Sequence, residues 1–366
     1  MDANKQLDKV RGCLVGGAVG DALGYPVEFS GSYESICNIY GQKGITRYST
    51  NAGLYNQHKA YISDDTQMTL FTACGLLNAK AKGMNPVCAV SDAYCEWYYT
   101  QMGMRSNHLR DCWVGDLPEM NVQRCPGITC MEALKNILVR RQPQNDSKGC
   151  GGVMRVAPVA LYNLSKGRTA DRVGSFNVLA ADVAKLTHLH PLGYIPAYIL
   201  CHLLYRLATD DAPVRESFLR YLHEAMSMAR ASFTGKDNVL GLDFSEMLDY
   251  QQTLLDKAVH LAGLDGADHV LVEQLGGGWV AEETLAIAVY CAYKYLDDFE
   301  RAVVAAVNHS GDSDSTGAVA GNIVGAAVGY SGIPDHYKQD LELHDVILHV
   351  ANDLWRGENT KFKNND

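Results

Sequence analysis

Three observations predict an all-α fold. Apolar residues recur at helical spacing along most of the chain, alternating strand-like stretches are short, and clusters of Gly, Pro, Asn and Asp punctuate the helical stretches. In chain order the helical segments are Leu7–Gly24, Gln67–Lys82, Pro86–Met102, Cys130–Arg141, Arg168–His188, Ile195–Leu207, Arg215–Ala231, Phe244–Leu261, Ala281–Leu296, Phe299–Asn308, Ser315–Tyr330 and Gln339–Trp355. Loops cover 25–65, 103–129, 142–158, 233–243 and 274–279. No linker-like shift in composition separates the helices. One domain over 1–366 is therefore expected, with a core over about 9–332, a C-terminal helix at 339–355 and fraying over Lys361–Asp366.

Bulk properties narrow the function classes. The chain has 366 residues, 47% of them hydrophobic, enough for a large core. Its net charge of −10, with no basic block, is a poor match for a nucleic-acid backbone. Eleven cysteines lie scattered with no C-x-x-C pair, as expected of reduced thiols in a cytoplasmic protein. The opening Met1-Asp2-Ala3-Asn4-Lys5 is polar, unlike a signal peptide. The uncharged stretch Ser315–Pro334 is long enough to consider as a membrane span, but Gly and Ala dominate it and it carries Asn322 and Ser331. A buried helix in a soluble protein is the expectation, with no membrane partner.

Two short stretches carry most of the chemistry. Ser63-Asp64-Asp65-Thr66 precedes an apolar run, and Asp312-Ser313-Asp314-Ser315-Thr316 precedes a small-residue run. Each reads as an ordinary helix start, because Ser, Thr and Asp are favoured caps and acids suit the first turn. Each also reads as a set of hard oxygen ligands suited to Mg²⁺ or Mn²⁺. If the two meet, their carboxylates repel by roughly 4 kcal/mol per pair at about 4 Å and an effective dielectric of 20. Protonation or bound cations would have to relieve that.

A repeat bears on whether they meet. Gly12, Gly16, Gly20 and Gly24 recur every four residues, as do Gly317, Gly321, Gly325 and Gly329. Residues four apart share a helix face, so each helix carries a smooth ridge. Each helical glycine costs about 1 kcal/mol against alanine, and close backbone approach is one gain that offsets it. Both helices are expected in the core at close contact, either with each other or with different neighbours. Mutual contact would hold the second acidic stretch near the end of the first helix.

Five motifs in order resemble the ADP-ribosylglycohydrolase family. They are Gly20-Asp21-Ala22-Leu23-Gly24-Tyr25-Pro26-Val27-Glu28, Ser63–Thr66, Gly149-Cys150-Gly151-Gly152-Val153-Met154-Arg155, Thr187-His188-Leu189-His190-Pro191 and Gly311–Ser315, within residues about 9 to 332. The resemblance implies a single orthogonal helical domain around two divalent cations, Mg²⁺ or Mn²⁺. It implies hydrolysis of the bond at C1″ of the distal ribose of ADP-ribose, attached to a protein side chain or a small acceptor. Ser63, Asp64 and Asp65 would supply one set of metal ligands and Asp312, Asp314 and Ser315 the other, with Asp314 as the bridge. Serine stands where members often have threonine, which keeps the hydroxyl but loosens the side chain. Thr316 is the alternative hydroxyl beside Ser315.

For catalysis the resemblance points to Glu28 and Asp65. By position alone Glu28 reads as a solvated loop acid, whereas the resemblance makes it the acid beside the metals. Asp65 competes for placing the attacking water, and Asp21 reads as structural. Ser147, Gly149, Cys150, Gly151, Gly152 and Met154 would form a substrate-binding loop around the diphosphate and distal ribose. As a bare motif this loop reads equally as a tight turn. His188 would lie near the phosphates or ribose, and a helix-end cap is its other reading. Lys148 stands where some relatives place an aromatic residue against adenine, and Pro126 stands where some place an acid. Gly276-Gly277-Gly278-Trp279 reads as a pocket wall or as a turn into the next helix. Two further functions fit the acidic stretches: a binding protein that blocks an ADP-ribosyltransferase, and a two-metal nucleotide phosphohydrolase.

Overall fold

The computed structural model describes residues 1–48, 59–104, 109–162, 164–166 and 170–363. The helices are α1 (Ala3–Gly24), α2 (Tyr33–Tyr40), α3 (Asp64–Lys82), α4 (Pro86–Gln101), α5 (Ile128–Leu138), α6 (Ala157–Leu161), α7 (Ala170–Lys185), α8 (Pro191–Thr209), α9 (Arg215–Ser232), α10 (Phe244–Ala262), α11 (Asp268–Val272), α12 (Ala281–Lys294), α13 (Phe299–Val307), α14 (Ser313–Val328), α15 (Asp335–Gln339) and α16 (His344–Arg356). Among the described residues there is no strand, only isolated bridges such as Gly149 with Val280. No helix there is long and apolar enough to cross a membrane. Among the described residues no disulfide is formed.

The glycine ridges face each other. A Cβ added to Gly12, Gly16, Gly20 or Gly24 would lie 2.3, 2.4, 1.9 or 2.2 Å from the carbonyl oxygen of Gly325, Gly321, Gly317 or Ser313 respectively. The partner number falls as the first rises, so α1 and α14 run antiparallel with their backbones in contact. Of the two open expectations, mutual contact is the one realised. Asn322 locks the pair by donating from Nδ2 to the Cys13 carbonyl at 2.7 Å. Gly329 extends the contact at the end of α14: its carbonyl carbon would lie 2.4 Å from a Cβ on Gly12, and it caps the helix at φ +79°. The register sets the C-terminal end of α1 beside the first turn of α14.

The other helices surround this pair. α8 and α12 pack on α14, α16 packs on α1, and α4 packs on α3. The core is continuous, running from Val15 and Val19 through Ile195, Tyr198, Ile287 and Ile323 to Ile347 and Leu354.

Several boundaries differ from expectation. The segment 339–355 is not one helix: Leu341 bridges Ala60, Leu343 takes φ +56°, and α16 starts only at His344. The short α2, α6, α11 and α15 lie outside the predicted segments, being too brief for periodicity to register. The expected start of the seventh-helix segment at Arg168 and part of the frayed end, 364–366, lie outside the described residues. That segment's helix stops at Lys185, before His188. α3 and α14 each begin earlier than expected, at Asp64 and Ser313, which brings the acids into their first turns.

Candidate active site

The first acidic stretch is built by three elements. Ser63 caps α3, its Oγ accepting from Asp65 N at 3.2 Å. Asp21 reaches across from α1 and accepts from Ser63 N at 3.0 Å, from Thr66 N at 3.1 Å and from the Thr66 hydroxyl. Asp21 is thus structural, as expected, and serves as a cap for α3. Asp64 accepts from Gly127 N at 3.2 Å, and its own N–H donates to the Arg124 carbonyl at 3.0 Å. The loop containing Pro126 therefore wraps this helix start.

The second stretch is built differently. Asp312 occupies the cap position of α14 but makes no side-chain cap bond. Its N–H donates to the Gly277 carbonyl at 2.8 Å. Asp314 accepts from Ser315 N at 2.9 Å. Ser315 Oγ lies 3.9 Å from Met154 Sδ. Thr316 is spent inside the helix, with Oγ1 donating to the Asp312 carbonyl at 2.7 Å, so it does not stand in for Ser315.

Glu28 follows the 3₁₀ turn Tyr25–Val27 that ends α1, and it is buried rather than solvated. One carboxylate oxygen each from Glu28, Asp312 and Asp314 lie within 4.8 Å of one another. Asp64 and Asp65 flank them closely enough to feel Asp314. Burial and then the Asp314 and Asp312 charges push the Glu28 carboxyl up to about 11. Burial and Asp314 push Asp21 up to about 7, against hydrogen bonds from Thr66 and Ser63. Asp64, Asp65 and Asp312 are driven well above the usual carboxylate range by burial and by Asp314. Asp314 is raised by burial and held down by hydrogen bonds from Asp312, the Ser315 backbone and Ser63.

Among the described residues these carboxylates have no ion-pair partner. Arg124 and Lys148, the basic residues of the two flanking loops, pair with Glu342 and Glu282 instead. Glu28 Oε2, Asp65 Oδ2 and Asp312 Oδ2 are buried without a hydrogen-bond partner among the described residues. Buried anions in this state are unfavourable unless neutralised. An all-oxygen donor set with unpaired carboxylates fits Mg²⁺ or Mn²⁺ by donor chemistry.

The glycine loop lies alongside. Cys150 N donates to the Trp279 carbonyl at 3.2 Å and Ala281 N donates to the Lys148 carbonyl at 2.8 Å, which fasten the loop to the start of α12. The Cys150 thiol faces Asp312 and Ser315. Ser147 Oγ bonds Thr129 Oγ1 at 3.1 Å and accepts from Gly149 N at 3.3 Å. Packing demands two of the glycines: a Cβ on Gly151 would meet His188 Cε1 at 2.9 Å, and one on Gly152 would meet the Gly193 carbonyl at 2.5 Å. His188 thus lies beneath the loop, buried, bonded to Thr187 Oγ1 at 2.8 Å and outside the carboxylate cluster. Burial and the Arg155 charge bring its imidazole down to about 3, so it is neutral. Met154 is buried behind Ser315. Arg155 is fully buried, bonding Thr187 Oγ1 at 2.6 Å and the Val183 carbonyl at 3.3 Å, with Tyr94 at 4.4 Å.

An all-helical protein with a buried, uncompensated carboxylate cluster at the meeting of two helix starts, bordered by a glycine loop, is the class that fold and site define. The family model described as ADP-ribosylglycohydrolase matches residues 2–364, and the chain belongs to that family. A Rhodospirillum rubrum protein named ADP-ribosyl-[dinitrogen reductase] glycohydrolase is 26% identical over 342 residues, which span 92% of this chain and 91% of that one. The human protein named ADP-ribosylhydrolase ARH3 is 24% identical over 371 residues, spanning 97% and 94%. A solved structure of an ADP-ribosylglycohydrolase-related protein complex superposes with a TM-score of 0.63 at 22% identity, over 97% of this chain and 100% of that chain, and shows the same fold.

Proposed function

We propose that this chain is a divalent-metal-dependent hydrolase that removes ADP-ribose from a protein side chain or a small acceptor by cleaving the C1″ glycosidic bond. The observation that carries the reading is the convergence of Glu28, Asp312 and Asp314 within 4.8 Å, with unpartnered oxygens on Glu28, Asp65 and Asp312. Ser63, Asp64 and Asp65 form one ligand set and Asp312, Asp314 and Ser315 the other. Asp314 suits the shared position, because its charge bears on Asp21, Glu28, Asp64, Asp65 and Asp312 alike. Mg²⁺ or Mn²⁺ held there supplies neutralising charge, orientation of the distal ribose through its vicinal hydroxyls and a water of lowered pKa.

The protein's own groups do the rest. Asp65 orients the attacking water toward C1″ and accepts its proton. Glu28, buried beside the cluster, is placed to donate to the departing acceptor. The remaining carboxylates stabilise the oxocarbenium-like charge at C1″. Ser147 and Gly149–Gly152 line the diphosphate and distal ribose, His188 and Met154 hold that loop in shape, and Lys148 stays occupied by Glu282.

A panel of ADP-ribosyl-arginine, ADP-ribosyl-serine and O-acetyl-ADP-ribose, each with and without Mg²⁺ or Mn²⁺, tests class and linkage together. Metal-dependent release of intact ADP-ribose is expected, lost in Asp314→Asn and Asp65→Asn. Activity that survives both substitutions removes the two-metal reading. Release of AMP or phosphate instead identifies a nucleotide phosphohydrolase.

A further inference from the structure

The segment that follows Glu28 is lightly packed. Between Glu28 and Tyr40 it buries little: Ile36 is the only buried residue of α2. Glycines in left-handed conformations flank that helix, Gly31 at φ +73° and Gly41 at φ +91°, and a Cβ on either would meet nothing within 4 Å. A cavity of about 300 Å³ lies between this segment and the body, lined by residues that include Tyr33, Lys43, His269 and Arg301.

Two ring stacks join the segment to the body, and the second of them borders the cavity. Phe29 stacks on Trp279 with centroids 5.9 Å apart and planes 24° apart, and Tyr33 stacks on His269 at 3.8 Å and 15°. Phe29 and Trp279 are 70% and 44% exposed, so the stack is a surface contact and not part of the core. Its two ends are attached to the chemistry. Phe29 adjoins Glu28, while the Trp279 carbonyl accepts from Cys150 and the neighbouring Gly277 carbonyl accepts from Asp312 N.

We infer that the Phe29–Trp279 stack, seconded by Tyr33–His269, is a releasable clasp that holds Glu28 over the carboxylate cluster. Phe29 and Trp279 are then positioning residues for the candidate acid, acting through the backbone on either side of the site. An aromatic pair suits the task because its strength, a modest surplus over area burial, permits opening without disturbing the core. The inference rests on the proposed role of Glu28 for its kinetic consequence, though not for the existence of the clasp.

The test compares the full-length protein with Phe29→Ala, Trp279→Ala, Trp279→Phe and the double alanine variant. Hydrogen exchange of the amides from Glu28 to Tyr40 should speed up roughly 3- to 10-fold in each alanine variant and no further in the double one, as expected of a single shared contact. Trp279→Phe should restore protection. On the linkage found to be cleaved, kcat should fall by a similar factor with KM little changed, and Trp279→Phe should restore kcat. Unchanged exchange in both single variants, or effects that multiply in the double variant, would overturn the clasp. Accelerated exchange with unchanged kcat would overturn the positioning role. A wild-type protein inactive on every linkage would defeat the proposed function while leaving the exchange comparison decisive for the clasp.

Discussion

The two acidic helix starts have nearly the same composition and opposite wiring. At α3 the hydrogen-bonding capacity is largely spent: Ser63 caps its own helix, Asp21 satisfies two further N–H groups, and Asp64 holds the 124–127 loop. At α14 the cap residue Asp312 makes no cap bond and leaves Oδ2 without a partner in a buried position. At α3 the helix start is capped by side chains while Asp65 Oδ2 stays unpartnered; at α14 neither the cap position nor Asp312 Oδ2 has a side-chain partner among the described residues. Residue type alone does not separate a cap from a ligand set, because the same oxygens serve both.

The largest test of that contrast is catalytic. Asp312→Asn should lower kcat/KM by at least about 100-fold, since even groups one shell removed from a metal cost about 10- to 100-fold. The same variant should be at least as stable to heat as wild type in EDTA, because it removes a repelling charge that satisfies no cap. Asp21→Ala should do the reverse to stability. It strands the N–H groups of Ser63 and Thr66 and should cost about 1–3 kcal/mol by denaturant unfolding. Equal behaviour of the two variants in EDTA would erase the distinction.

Gly20→Ala probes what brings the starts together. Alanine favours a helix by about 1 kcal/mol, but its Cβ would lie 1.9 Å from the Gly317 carbonyl oxygen. The net change should be destabilising by about 1–3 kcal/mol, with a loss of metal affinity measured by titration calorimetry. A rise in melting temperature would show that the ridge contact is dispensable.

The pH dependence follows from the raised carboxyls. In the metal-free protein Asp21 at about 7 and Glu28 at about 11 bind more protons folded than unfolded. Unfolding free energy should therefore fall as pH rises above the unfolded carboxylate range of about 4. Melting scans in EDTA from pH 5 to pH 8, about the span over which Asp21 titrates, should show this loss, and saturating Mn²⁺ should flatten it. A metal-free protein more stable at the alkaline end would contradict the buried cluster. The smallest contrast is between serines. Ser63→Ala should cost about 1 kcal/mol through the lost cap, whereas Ser315→Ala should leave metal-free stability within about 0.5 kcal/mol and weaken metal binding instead.

Where the sequence was readable, the signal was local or periodic. Helical spacing marked most of the long elements, and the four-residue glycine period marked the ridge faces of α1 and α14. It missed α2, whose eight residues carry one buried side chain, and the break at 340–343, where Leu341 leaves the helix to bridge Ala60. Asp21 announced itself as an acid in an otherwise apolar helix, yet its partners 42 and 45 residues away did not. His188 was marked by its motif, but its place beneath Gly149 and Gly151 comes from the packing of α8 against the loop.

By itself the sequence determined that the chain is helical, that α1 and α14 carry smooth faces, and that two clusters of oxygen-bearing side chains begin helices. These are properties of residue type and short-range spacing, which backbone geometry converts directly into structure. Only the tertiary structure decided that the ridges meet antiparallel, that Glu28 is buried against Asp312 and Asp314, and that Asp21 serves α3. The first two outcomes depend on register between segments about 300 residues apart, and the third on a contact 42 residues apart. Register is set by which backbones can touch, a property of the folded pair rather than of either helix.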